Sequence, residues 1–230
     1  MSSTDSPAIR SAPARPADWI AALRGRFIVL DGPDGSGKST QFRLLADFCR
    51  SAGLRVTETR EPGGTPIGEQ VRAILLDPLN VEMDVRCEML LYMASRAQLV
   101  AERIRPALER GDLVLADRFI SSTLAYQGTA GGISTDAIRS VGRIACGATQ
   151  PDLVVLFDVD EVVAGRRLNP ILDRMEQKGI EFHRRVRRGY LDQAATDPAR
   201  HLVIDATPET EQVWTSLLAA IERWTRPPAR

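Results

Sequence analysis

The sequence predicts an α/β fold in which a parallel sheet of about five strands is covered by helices on both faces. Short runs rich in Val, Leu and Ile alternate with longer segments whose apolar residues recur at helical spacing. Parallel strands need a crossover connection between them, usually a helix, so this alternation favours a parallel sheet. The predicted strands are residues 27–30, 54–57, 113–116, 153–157 and 202–204.

Helices are predicted where apolar residues follow a period near 3.6 or where start signals occur. The predicted helices begin after Gly37 and cover residues 84–109, 135–146, 177–194 and 208–224. Residues 1–24, rich in Pro, Ser and Ala, are expected to be a flexible N-terminal extension in which residues 19–23 could dock. We expect one domain at residues 25–226, with a short lid at about residues 165–176 and a tail at residues 227–230.

Composition excludes several classes of protein. The chain has 230 residues, 43% of them hydrophobic, and 30 basic residues balance 30 acidic ones. A neutral chain lacks the basic excess that binds long nucleic acids, so no nucleic-acid partner is expected. Its three cysteines are widely spaced and predict reduced core residues, with neither disulfides nor zinc. No apolar run suggests a membrane span or signal peptide, so no membrane partner and a cytoplasmic location are expected.

A phosphate-binding motif follows the first predicted strand. Residues 32–39 read Gly-Pro-Asp-Gly-Ser-Gly-Lys-Ser and match GxxxxGK[ST] at the start of a predicted helix. In this motif the backbone N–H groups cradle phosphates, Lys38 reaches the β- and γ-phosphates, and Ser39 binds Mg²⁺. A chance match is improbable because Lys38 is one of only two lysines in the chain. The expected ATP-binding residues are Gly32, Pro33, Asp34, Gly35, Ser36, Gly37, Lys38, Ser39 and Thr40, within a three-layer P-loop NTPase fold.

Two charged residues, Asp117 and Arg118, end the strand predicted at residues 113–116. The carboxyl ends of parallel strands face the ligand crevice. Asp117 is therefore predicted to act on the metal or its water shell, and Arg118 to bind an acceptor phosphate bidentately. The alternative is a salt bridge that only closes the strand end.

Other candidate residues are weaker when each is considered alone. Tyr92 and Arg96 are four apart on a predicted helix, so they could clamp a nucleobase or simply form a surface pair. Arg60 begins a Pro/Gly loop and could point toward phosphate. Three arginines near Pro170 suggest a mobile lid, although a solvated charged loop is the alternative; they are Arg166, Arg167 and Arg174.

Taken together, these motifs resemble the thymidylate kinase family from about residue 26 to residue 220. The segments that carry the resemblance are residues 31–40 (Asp-Gly-Pro-Asp-Gly-Ser-Gly-Lys-Ser-Thr), 60–65 (Arg-Glu-Pro-Gly-Gly-Thr), 92–98, 117–128 and 172–176 (Leu-Asp-Arg-Met-Glu). The resemblance implies transfer of the γ-phosphoryl group of ATP to dTMP with Mg²⁺, giving dTDP and ADP. It also implies a homodimer formed through helices that flank the site.

The resemblance further implies roles for residues at the acceptor site. Asp34 would hold the 3′-hydroxyl, Arg60 and Arg118 would lie near the acceptor phosphate, Tyr92 would stack on the base, and Arg96 would contact thymine O4. Thr123 and Gln127 would lie near the base, and the ring of Tyr126 would exclude a ribose 2′-hydroxyl. Some members of the family place an arginine inside the P-loop, but residues 33–36 of this chain contain none. In this respect the chain is similar to members that supply the positive charge from the lid, with Arg174 as the leading candidate.

Two other classes of function remain as alternatives. A kinase for another nucleoside monophosphate or a deoxynucleoside would share the P-loop and the lid. A nucleotide-dependent switch, or a bare nucleotide-binding module, would also bind a triphosphate. The switch predicts a guanine-reading NKxD segment, which the chain lacks. A bare module would not need a second arginine cluster for an acceptor.

Overall fold

A single parallel sheet organises the protein. The computed structural model describes residues 18–167 and 173–226. Five strands lie in the order β2-β3-β1-β4-β5, and every neighbouring pair is parallel. The strands are β1 (Phe27–Asp31), β2 (Val56–Arg60), β3 (Leu113–Asp117), β4 (Leu153–Asp158) and β5 (His201–Asp205). The predicted α/β class and parallel sheet are confirmed.

Helices connect the strands and cover both faces of the sheet. They are α1 (Asp18–Ala21), α2 (Lys38–Ser51), α3 (Pro66–Leu76), α4 (Val85–Leu99), α5 (Arg105–Glu109), α6 (Ile120–Thr123), α7 (Thr135–Cys146), α8 (Glu161–Arg166), α9 (Ile180–Thr196) and α10 (Thr210–Thr225). A π-helical stretch, Val100–Ile104, joins α4 to α5, and a second, Leu124–Ala130, continues α6. A short 3₁₀ helix, Glu176–Lys178, precedes α9.

The core lies in layers on either side of the sheet because alternate side chains of a strand point to opposite faces. In β1, Ile28 and Leu30 join one buried cluster, which also includes residues of α2 and α10. Phe27 and Val29 join a second cluster, formed with the helical segments around residues 99–107. Burial on both faces explains why β1 and the neighbouring central strands are almost wholly apolar.

The predicted strands all occur, but β2 begins and ends later than expected. The apolar residues near Leu54 predicted a strand at residues 54–57, whereas the strand runs from Val56 to Arg60. Strand β2 lies at the edge of the sheet, where polar side chains remain partly exposed. Hydrophobic patterning therefore placed the boundary too early.

The N-terminal side of the described region packs onto the core. Ile20 and Leu23 are buried, and the Trp19 ring stacks against Phe48 with centroids 6.1 Å apart. The docking that the sequence left open at residues 19–23 thus occurs. The rest of the proposed extension and the C-terminal tail lie outside the described residues, as does the middle of the proposed lid, residues 168–172. The domain and lid boundaries stay predictions.

The three cysteines were expected to be reduced residues of the core. All three cysteines carry free thiols, but only Cys49 and Cys146 are buried, whereas Cys87 is exposed. The prediction that all three are core residues was wrong for Cys87, which lies on the solvent side of α4.

Within the described parts of the chain, none of the helices has the length and apolar character needed to span a bilayer.

Candidate active site

The P-loop lies between β1 and α2, and its glycines fit where other residues would collide. Gly32 has φ 145° and a Cβ there would lie 2.6 Å from the Phe157 carbonyl oxygen. Gly35 has φ 77°, and its Cβ would meet the Ala164 carbonyl oxygen at 2.2 Å. Gly37 precedes α2 without a side-chain cap on that helix. The uncapped N–H groups and positive end of α2 are therefore left for an anion such as phosphate.

Lys38, Ser39 and Asp117 meet at the end of the P-loop. Strand register places Asp117 of β3 beside Leu30 of β1, directly before the P-loop. The Lys38 ammonium forms an ion pair with Asp117, and Ser39 Oγ lies 3.4 Å from Asp117 Oδ2. The structure thus brings together the predicted phosphate-binding lysine and the two residues predicted to bind metal.

A buried carboxylate at the end of β1, Asp31, organises the residues around the P-loop. Its oxygens accept hydrogen bonds from the hydroxyls of Ser121 (2.6 Å), Ser122 (2.7 Å) and Tyr190 (2.6 Å). These donors connect α6 and α9 to the sheet. The sequence analysis did not select Asp31, although an acidic residue at the end of a buried strand is the same signal that identified Asp117.

Arg118, Asp34 and Tyr126 form the centre of the acceptor side. The Arg118 guanidinium pairs with Asp34 and also donates to the Gly32 carbonyl at 3.0 Å. The Tyr126 hydroxyl donates to Asp34 Oδ2 at 2.6 Å. Burial alone would raise the pKa of Asp34, but Arg118, the Tyr126 hydroxyl and Lys38 together hold that pKa below its usual value. Asp34 is therefore a carboxylate that accepts hydrogen bonds.

Six of the predicted acceptor residues line one cavity, which we call the acceptor cavity. It lies beside the P-loop and extends toward α3 and α4. Its walls include the residues predicted to bind phosphate, sugar and base: Asp34, Tyr92, Arg118, Thr123, Tyr126 and Gln127. These side chains come from three separate parts of the chain, the P-loop, α4 and residues 118–127, so their convergence is a property of the fold and not of local sequence spacing alone.

Arg96 lies behind the wall of this cavity. Its guanidinium is 1% exposed and binds Glu61 through Nε at 2.8 Å and Nη2 at 2.6 Å. It also donates to Thr123 Oγ1 at 3.1 Å. Burial raises the pKa of Glu61 to about 7, against the opposing effect of Arg96. The second carboxylate oxygen of Glu61 finds no hydrogen-bond partner among the described residues. Glu61, which the sequence analysis missed, lines the cavity.

Comparisons with known proteins agree with this geometry. A family model described as thymidylate kinase matches residues 30–217. The chain belongs to the thymidylate kinase family. A thymidylate kinase of Deinococcus radiodurans is 49% identical over 202 residues, 86% of this chain and 97% of that protein. One from Symbiobacterium thermophilum is 45% identical over 197 residues, covering 85% of this chain and 92% of the relative.

A solved structure supports the same family assignment. The crystal structure of thymidylate kinase from Ehrlichia chaffeensis aligns with a TM-score of 0.70 at 33% sequence identity. The alignment covers 84% of this chain and 97% of that structure. The three-layer P-loop fold predicted from the sequence is therefore the fold of the thymidylate kinase family.

One arginine that family resemblance placed near the acceptor phosphate lies outside the acceptor cavity. Arg60 Nη2 donates to both carboxylate oxygens of Glu69, at 2.9 and 3.0 Å, and Arg60 lines a separate cavity together with Ser39 and Asp117. Arg72 lines the acceptor cavity instead and donates to the Pro62 carbonyl at 2.9 Å. The role of Arg60 stays a prediction, and Arg72 was missed because the helix that contains it, α3, was not predicted.

The proposed lid arginines occupy three different environments in this member of the thymidylate kinase family. Arg166 lines a cavity next to Pro33 of the P-loop. Arg167 donates to the carbonyl oxygens of Ala206 and Thr207 at 2.8 and 2.9 Å. Arg174 is 6% exposed and does not line the acceptor cavity. The catalytic role predicted for Arg174 remains a prediction, and the cavity beside Pro33 is lined by Arg166 and Arg187 instead.

His183 of α9 lies next to a run of arginines in the sequence. Its ring nitrogen Nε2 lies 3.3 Å from the Glu176 carbonyl oxygen. The side chain lines the same cavity as Arg166 and Arg187. His183 is therefore partly enclosed and faces the P-loop side of α9, which the charge pattern of its neighbours did not indicate.

Proposed function

We propose that this protein transfers the γ-phosphoryl group of ATP to dTMP, giving dTDP and ADP for dTTP synthesis. The observation that carries the proposal is the acceptor cavity itself, where the residues expected to recognise base, deoxyribose and phosphate open beside the P-loop. Membership of the thymidylate kinase family over most of the chain supports the same reaction. A switch or bare binding module would have no use for such an acceptor cavity.

The chemistry proposed for the chain is positioning and charge neutralisation. Phosphoryl transfer proceeds in line through a loose transition state, so no covalent intermediate on the protein is needed. Arg118 would bind the dTMP phosphate, and Asp34 would accept a hydrogen bond from the 3′-hydroxyl. Lys38 and the N–H groups of the P-loop would neutralise charge on the transferring group. Tyr92 would stack on the thymine ring.

Ser39 and Asp117 fit a Mg²⁺ site, and we propose that they hold this ion. Hydroxyl and carboxylate oxygens are the ligands that Mg²⁺ prefers, and it usually takes one or two from protein and the rest from water and phosphates. Consistently, among the described residues no group of three His, Cys, Asp or Glu side chains could hold a metal alone. When bound with ATP, Mg²⁺ supplies neutralisation of the triphosphate charge.

Two further expectations belong to the same proposal. We propose that the protein is a homodimer, and the exposed apolar residues Leu90 on α4 and Ile144 on α7 support an interface on these packed helices. We propose a cytoplasmic location because ATP and nucleoside monophosphates are substrates of cytoplasmic metabolism.

The reaction is tested by measuring ADP release with ATP, Mg²⁺ and a panel of nucleoside monophosphates and deoxynucleosides. We expect strong stimulation by dTMP, with a reaction lacking any acceptor as the control. Preference for another acceptor would favour the alternative kinase, and equal hydrolysis without acceptor would favour the switch. Detection of dTDP by chromatography confirms that the phosphoryl group reaches dTMP and not water.

Tyr126 provides a test of sugar recognition. Replacing it with alanine removes the ring proposed to exclude a 2′-hydroxyl, so kcat/KM for the ribonucleotide of thymine should rise about tenfold relative to dTMP. Tyr126→Phe is the matched control, since it keeps the ring and loses only the hydrogen bond to Asp34. Both acceptors should lose activity equally in that control, and an unchanged ratio in Tyr126→Ala would refute steric exclusion.

A further inference from the structure

Glu88 is a buried carboxylate of α4 that the proposed reaction does not yet use. Its side chain is buried, and its Oε1 accepts a hydrogen bond from Gln127 Nε2 at 2.7 Å. Its other oxygen, Oε2, pairs with Arg174 at 2.6 Å and with Lys178 at 2.9 Å. Glu88 therefore links three elements: α4, the π-helical stretch that contains Gln127, and the segment that precedes α9.

The two cations determine what Glu88 can do to Gln127. Burial alone would raise the pKa of Glu88, but the Gln127 hydrogen bond and the charges of Lys178 and Arg174 lower that pKa below its usual value. An ionised carboxylate can only accept hydrogen bonds. Gln127 must then turn its NH₂ group toward Glu88, because its carbonyl oxygen facing a carboxylate would be repelled.

Because one N–H of Gln127 is bound to Glu88, the amide nitrogen is held on the Glu88 side and the carbonyl oxygen on the opposite side of the planar amide, where it can accept from a ligand in the acceptor cavity that Gln127 lines. Thymine and uracil carry an N–H donor at ring position 3, which matches a carbonyl acceptor. Cytosine has an unprotonated ring nitrogen there, so an acceptor would face an acceptor. A buried polar group left without a partner in this way disfavours the mismatched base strongly.

We propose that Glu88 is a positioning residue that fixes the Gln127 amide with its carbonyl oxygen toward the base, so that the site selects 2,4-dioxopyrimidines over cytosine. This inference rests on the proposed function, because it concerns the acceptor base of that reaction. Base selection then depends on the negative charge of Glu88, a residue that does not itself contact the substrate.

The deciding variant is Glu88→Gln. The new amide would turn its carbonyl oxygen to Arg174 and Lys178, which leaves its NH₂ group facing Gln127 and reverses the Gln127 amide. The ratio of kcat/KM for dTMP over dCMP should then fall at least about tenfold, the scale of one exchanged hydrogen bond. A merely structural role would lower both activities together and leave the ratio unchanged.

Two further variants separate orientation from folding. The double variant Glu88→Gln/Gln127→Glu exchanges the positions of the amide and the carboxylate. The amide introduced at position 88 donates to the carboxylate introduced at position 127. The other oxygen of that carboxylate can again accept a hydrogen bond from the base. This double variant should recover most of the dTMP preference lost in Glu88→Gln. Glu102→Gln is the control, because Glu102 also accepts a hydrogen bond from an amide, Gln98 Nε2 at 2.9 Å, but is exposed and does not line the acceptor cavity. Its dTMP:dCMP ratio should stay within about threefold of wild type.

The outcomes are distinguishable from failure of the proposed function. If the wild-type protein does not phosphorylate dTMP, both the function and this inference are overturned. If wild type is active but Glu88→Gln keeps the full dTMP:dCMP ratio, only the role of Glu88 is overturned. If Glu88→Gln does not fold, the double variant decides alone, and a loss of dTMP preference in it refutes the proposal.

Discussion

Replacing Lys38 with methionine is expected to lower kcat about a thousandfold, the scale for removing a group that stabilises transition-state charge. Methionine retains most of the aliphatic length of lysine but has no positive charge. Lys38 lies at the first position of α2, where its ammonium pairs with Asp117. In the proposed complex the ammonium would move to the β- and γ-phosphates, so the loss falls mainly on the chemical step.

Steady-state kinetics measure the loss of kcat in Lys38→Met, and calorimetric titration measures its affinity for dTMP. Binding of dTMP should change less than about threefold, because the acceptor cavity does not include Lys38. Arg50→Met removes an exposed cation from the other end of α2 and is the matched control. A kcat for Lys38→Met within about tenfold of wild type would contradict a role for Lys38 in charge stabilisation.

Replacing Arg118 with lysine should lower kcat/KM for dTMP on the order of a hundredfold, even though the charge is kept. The planar guanidinium pairs with Asp34 and donates to Gly32 and Ser122, the latter at 3.1 Å. An ammonium cannot meet these partners and a phosphate at fixed angles. The backbone φ of Arg118 is 72°, which is unusual for a residue with a side chain. The surrounding fold therefore holds Arg118 firmly in this position.

The KM for ATP separates acceptor binding from a general defect in Arg118→Lys. It should change less than about threefold, since the P-loop is intact. Arg188→Lys is the matched control: this arginine is exposed, and within residues 18–167 and 173–226 its one ion pair is with Asp192, one helical turn away. An equal loss for ATP and dTMP would indicate that Arg118 supports the P-loop through Gly32 and Asp31 and does not bind the acceptor.

Much of the fold could be predicted from sequence because its signals are local. The apolar strands, the alternation with helices and the position of the P-loop all depend on neighbouring residues. Helix α3 was missed although Thr65 caps it and Pro66 begins it, since the preceding glycines suggested a continuing loop. The segment Leu124–Ala130 was missed because Gly128 and a π-helical turn do not follow the period of an α-helix.

The site could be predicted only in part because some roles depend on distant partners. Tyr92 and Arg96 have helical spacing, yet Glu61 draws Arg96 behind the cavity wall. Arg174 looked like a mobile lid arginine, but its charge is paired with Glu88, far away in the sequence. Composition and residue spacing do not reveal pairs between distant parts of the chain. The carboxylates Asp31, Glu61 and Glu88, which make such contacts, were therefore not identified from the sequence.

The strand order has a consequence for how the protein is made. In the part of the chain that the structure describes, strand β1 pairs with β3 and β4, and β2 pairs with β3 alone. During synthesis on the ribosome, neither of the first two strands therefore has a partner until β3 has emerged, and non-local pairings of this kind form slowly. A nascent chain that ends before Asp117 would contain the complete P-loop sequence without the neighbouring strand that holds it in place. Nucleotide binding can thus report on the folding of a chain only after half of it has been translated.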